Sequence, residues 1–122
     1  MKIQLIALAA LLVAQPVLAH GNMKPEHGGQ VQMNGETLFE LATTPAGTML
    51  YVSEDDEPVT ATAMTAKLSI TSGTAKQEVA MTPAAGNSFV AKGLKLAKGA
   101  KVGVMVIDGT TKARSSTIFT IK

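Results

Sequence analysis

The sequence predicts an all-β protein: an antiparallel β-sandwich, Ig-like or fibronectin-like, of seven or eight short strands, behind a cleavable signal helix and a flexible arm. Three observations predict it. From residue 30 onward, apolar and polar side chains alternate with the period of two that a half-buried strand requires. Pairs rich in Gly, Pro, Asn and Asp punctuate that alternation. No segment beyond residue 19 repeats its apolar residues at helical spacing. A small closed barrel uses the same strands and is the alternative fold.

The chain opens as an export signal. Lys2 supplies positive charge, residues 3–13 an apolar core, and Val17-Leu18-Ala19 a small-residue cleavage site, so residues 1–19 read as a signal peptide cut after Ala19. That core is about 11 residues long against roughly 20 needed to cross a bilayer. Gln15-Pro16 then interrupts it, so no membrane anchor is expected and the processed protein is placed, soluble, in the periplasm. Residues 20–29 are rich in Gly, Pro and polar groups and have no period, as a flexible arm does. Residues 30–122 make one domain, because about 103 processed residues suffice for one sandwich core and not for two.

Along that domain, Gln30-Val31-Gln32-Met33 alternates, Asn34-Gly35 offers a two-residue hairpin turn, and residues 36–43 alternate again through Leu38. Thr44-Pro45-Ala46-Gly47 is a second turn, followed by the strand Thr48-Met49-Leu50-Tyr51-Val52. Glu54-Asp55-Asp56-Glu57 reads as a solvated turn, since it lacks the spacing and glycine of a calcium loop. Strands are expected over 66–71, 77–81, 88–91 and 101–107, and Asp108-Gly109 is a second hairpin pair. The last strand, 112–121, puts Ala113, Ser115, Thr117, Phe119 and Ile121 on one face.

Composition narrows the function classes. The chain has 11 basic and nine acidic residues, and losing Lys2 with the signal leaves ten against nine, too even a balance for a nucleic-acid binder. With no cysteine there is neither a disulfide frame nor thiol chemistry. Hydrolysis lacks a Gly-x-Ser-x-Gly elbow and a histidine within the domain, and no phosphate loop appears. The protein is read as a binder, not an enzyme. Met49, Met64, Met81 and Met105 are scattered through strand patterns and are assigned to the core. Lys92, Lys95, Lys98 and Lys101 recur every three residues, a spacing that strands would not align on one face, and read mainly as solubilising charge.

One cluster carries chemistry. Both histidines, His20 and His27, fall within the first eight residues of the processed chain, with Met23 between them and Glu26 adjacent. Cleavage after Ala19 makes His20 the first residue, and its free α-amine and imidazole then chelate one metal together, an arrangement suited to Cu(II). His27 adds a second imidazole, and Met23 or Met33 a thioether that favours Cu(I); zinc accepts the same nitrogens. The competing reading is a polar arm in which two histidines occur by chance. No third imidazole exists, which argues against a catalytic zinc site.

His27-Gly28-Gly29, with Phe39-Glu40-Leu41, Met49-Leu50-Tyr51-Val52 and Pro58-Val59, resembles small periplasmic proteins and adaptor N-terminal domains of heavy-metal efflux systems. The resemblance spans the first half of the processed chain and implies a periplasmic β-sandwich handling copper, zinc or related cations, with His27 as a ligand and an envelope or efflux-system protein as partner. The chain also looks like the CopC-type copper-resistance sandwiches in having an N-terminal histidine after processing. It departs from them in lacking a Met-rich loop and a histidine within the sandwich. The expected function is thus a periplasmic metal-binding accessory protein, copper first and zinc second. The alternative is a structural or interaction module of the envelope without a metal.

Overall fold

The computed structural model describes residues 24–122. The signal peptide expected at 1–19 lies outside the described residues, and so do His20 and Met23. The strands are β1 (Gln30–Asn34), β2 (Thr37–Thr44), β3 (Gly47–Glu54), β4 (Glu57–Pro58), β5 (Met64–Ser72), β6 (Ala75–Pro83), β7 (Ser88–Lys92), β8 (Lys101–Asp108) and β9 (Arg114–Thr120). Every pairing is antiparallel, in the order β1-β2-β3-β7-β6-β5-β8-β9, with β4 beside β3. The protein is an antiparallel β-sandwich. Its two layers are continuous through β6, which pairs with β5 along 75–81 and with β7 at Thr82 and Pro83.

The alternation read from the sequence buries one face of each layer. In β5, Met64, Ala66, Leu68 and Ile70 point inward and Thr65, Lys67 and Ser69 outward. All three phenylalanines, Phe39, Phe89 and Phe119, are fully buried, and Leu50, Val52, Leu68, Val102, Val104 and Val106 fill the space between them. Among the described residues no buried side-chain nitrogen or oxygen lacks a hydrogen-bond partner.

Where β1 and β9 meet, side chains close the sandwich. The Gln30 carboxamide donates to the Thr120 carbonyl (2.9 Å) and accepts from the Lys122 amide (3.0 Å), as a strand's own peptide group would. Asn34 Nδ2 donates to the Ser116 carbonyl at 2.6 Å. The seam places the start of β1 beside the end of β9, which assigns every loop to one of two ends. The lower end gathers the β2–β3 and β5–β6 turns, the β7–β8 loop and the C-terminus. The upper end gathers the β1–β2, β3–β4 and β8–β9 turns.

Three sequence expectations are corrected. The first hairpin turns one residue late, because Asn34 pairs with Thr37 and leaves Gly35-Glu36 as the loop, with Gly35 at φ +59°. Asp108-Gly109 is not a two-residue turn; the Asp108 carboxylate accepts from the Thr110 and Thr111 amides (2.8 and 2.9 Å) and caps a longer loop that reaches Arg114. Met105 is not core, being 38% exposed on the outer face of β8. Of the four lysines spaced by three, Lys92 ends β7, Lys101 begins β8, and Lys95 and Lys98 lie in the loop between them, where the strand objection to a common surface does not apply.

Phe119 and Ile118 are neighbours on opposite faces, fully buried and 66% exposed. Phe119→Ala is expected to cost about 3–5 kcal/mol in urea unfolding, from lost transfer energy plus a cavity. Ile118→Ala should stay within roughly 0.5 kcal/mol. Similar costs for the two would contradict the assigned facing.

Candidate functional site

The site begins with two glycines. Gly28 takes φ +71°, a conformation that costs glycine little. A Cβ on Gly29 would stand 2.4 Å from the Leu41 carbonyl oxygen, so no larger residue fits there without displacing backbone. Together they turn the chain back just before β1 and lay His27 over the outer face of β2 and β3. The His-Gly-Gly sequence is therefore a seat for its histidine.

Beneath it lies Glu40, whose register partners on either side are Val31 of β1 and Tyr51 of β3. Glu40 is only 5% exposed although it faces outward, because the arm covers it. Its Oε2 accepts from the amides of His27 (2.8 Å) and Gly29 (3.0 Å), and its Oε1 from the Glu26 amide (3.1 Å) and His27 Nδ1 (2.9 Å). The His27 ring stacks flat on Tyr51, with centroids 3.5 Å apart and planes 3° from parallel. A carboxylate, a phenol ring and three amides thus hold one imidazole by edge, face and backbone.

Burial alone would raise the Glu40 pKa, but the bonds from the His27 ring and from the Gly29, His27 and Glu26 amides outweigh it and leave the carboxyl below its ordinary 4.5. An ionised carboxylate only accepts hydrogen bonds, so Nδ1 must carry the proton it shares with Oε1. In its neutral form such a ring has its lone pair on Nε2, which makes no hydrogen bond among the described residues. The His27 side chain is 37% exposed. Metal-ligating imidazoles commonly donate the far N–H to a carboxylate in the same way.

Met33 shares the outer face with this seat, two residues along β1 from Val31 and opposite Leu38. It is half-buried. His27 and Met33 are thus on one face, while His20 and Met23 lie outside the described residues. Among the described residues no three His, Asp or Glu side chains converge as a metal cage. Glu40 and Tyr51 escape sequence reasoning as site residues. Their only signal is that an acid and a tyrosine occupy outward positions between inward Phe39, Leu41, Leu50 and Val52.

A shallow groove of about 570 Å³ crosses the outer face of the other layer over Gly103, between Met105, Ile118 and the Lys67–Glu78 ion pair (3.0 Å). It holds no histidine and no second acid. No protein-family model, curated protein or solved structure matches the chain.

A folded-state pKa below 4.5 means Glu40 stabilises the fold fully above that value and loses the contribution as pH falls through the lower, folded value. Glu40→Gln places an NH₂ against amide donors, and is expected to cost about 1–3 kcal/mol at neutral pH. That gap from the parent should hold down to about pH 4.5 and close below it. Parallel urea-unfolding profiles across that range would contradict the clamp.

Proposed function

We propose that the protein is an exported metal-binding accessory protein of the periplasm, with copper as its first ion and zinc as its second, serving heavy-metal handling or efflux beside an envelope partner. It binds and does not catalyse. The observation that carries this reading is the Nδ1–Glu40 bond, because it fixes the tautomer whose free nitrogen is a ligand. Signal cleavage after Ala19 would add the amine and imidazole of His20, and Met23 and Met33 are the thioethers for Cu(I). His20 and His27 are seven positions apart, up to about 25 Å of chain, ample for both to reach one ion.

The alternative is a structural or interaction module without a metal. One observation favours it: three of the four bonds to Glu40 come from backbone amides and would persist with another residue at position 27. On that reading the arm is stitched to the sheet and the imidazole is incidental.

Titration of Cu(II), Cu(I) and Zn(II) into exported, processed protein separates the two. The metal reading expects one ion per chain, binding weakened about tenfold to a hundredfold by Glu40→Gln and abolished in His20→Ala/His27→Ala. Equal, weak binding by the parent and the double variant would leave the structural reading standing alone.

A further inference from the structure

Charge on this domain is sorted by end. Lys76, Lys92, Lys95, Lys98, Lys101 and Lys122 are all exposed at the lower end. Register brings them there: Lys92 lies opposite Gly47, Lys76 opposite Thr71, and Lys101 between Thr71 and Thr120. The β7–β8 loop that carries Lys95 and Lys98 is fastened to the sandwich. Thr48 Oγ1 donates to the Leu94 carbonyl (2.9 Å), the Gly99 amide to the Ile121 carbonyl (2.7 Å) and the Ile121 amide to the Ala100 carbonyl (2.9 Å). No Asp or Glu occurs in residues 42–48, 71–76, 92–101 or 120–122, which build this end. The upper end holds Glu36, Glu54, Asp55, Asp56, Glu57 and Asp108 against Lys112 and Arg114.

We propose that the lower end is a peripheral docking surface for an anionic phospholipid bilayer. The near balance of total charge hides it, because the opposing charges are far apart. Eight-residue strands hold the ends about 27 Å apart, and at physiological salt charges are screened over about 8 Å. The acidic end therefore does not cancel the field of the lysines; it turns the domain so that the lysines lead. The make-up of the surface selects lipid over a folded acidic partner. It has lysine without arginine or aromatic residues, and the exposed Met105 and Ile118 sit on the outer face of β8 and β9 instead. Specific protein interfaces lean on aromatic, Met and Arg anchors. A diffuse, mobile sheet of headgroup charge needs only flexible point charges. This inference is independent of any metal at His27.

The test is co-sedimentation of the metal-free protein, recovered after export with its N-terminal mass measured, with vesicles. One set contains phosphatidylethanolamine with roughly 30 per cent phosphatidylglycerol, the other phosphatidylcholine alone. Binding is expected to the anionic vesicles at about 50 mM salt, to vanish near 500 mM, and to be absent on the neutral ones. Each lysine contributes a factor of about five, so Lys92→Gln/Lys95→Gln/Lys98→Gln should bind about a hundredfold more weakly with an unchanged circular dichroism spectrum. Asp55→Asn/Asp56→Asn at the far end should bind like the parent. Equal binding to neutral vesicles, a triple variant within about twofold of the parent, or capture by polyglutamate but not by anionic vesicles would each overturn the proposal.

Discussion

A carboxylate on the outward face of a β-strand is ordinarily left to water, but Glu40 is covered and must find its hydrogen bonds in the protein. It takes them from the segment just before its own hairpin: three backbone amides and one imidazole. Bonds of this kind, with one partner ionised, are the stronger class, about 1.5–3 kcal/mol each. The direction of the arm, the tautomer of His27 and its contact with Tyr51 all follow from this one buried charge. So does the demand for glycine at positions 28 and 29, since the arm reaches Glu40 only by taking φ +71° at Gly28 and by passing so close to the Leu41 backbone at Gly29 that a Cβ has no room.

The clamp also bears on how the sandwich is closed. β1 is five residues long and pairs through its backbone with β2 alone; its other side meets β9 through the Gln30 and Asn34 carboxamides. Such a strand is a weak edge. Fastening the chain immediately before it, at Glu26, His27 and Gly29, limits how far that edge can fray. Stability of the seam and seating of the histidine are therefore linked through the two residues, Gly29 and Gln30, that join arm to strand.

Much of the fold was legible because strands announce themselves through alternation. Met64-Thr65-Ala66-Lys67-Leu68-Ser69-Ile70 is buried and exposed in strict turn, and Phe119 and Ile118 fall on the faces that pattern assigns. Turn geometry was less legible, since Asn34-Gly35 and Asp108-Gly109 suit a tight hairpin in composition while ladder register and an aspartate cap decide where each chain reverses. At the site, the sequence singled out His27 through its neighbours His20 and Met23. It did not reveal Glu40 or Tyr51, because a lone acid in a strand reads as a solvent-facing residue until something 13 positions earlier is known to cover it. The lysines escaped for a related reason. A repeat of three means nothing on a strand, and only the register of β5, β6, β8 and β9 collects Lys76, Lys101 and Lys122 beside that loop.

Glu40 holds the His27 imidazole with its proton on Nδ1, which in the neutral ring leaves the lone pair on Nε2. Long-range ¹H–¹⁵N correlation of the histidine rings at neutral pH reads this directly, with His20→Ala identifying the His27 signals. A protonated, pyrrole-type Nδ1 and an unprotonated, pyridine-type Nε2 are expected, an assignment that Glu40→Gln should scramble. A ring averaged between tautomers in the parent, or one protonated on Nε2, would contradict it.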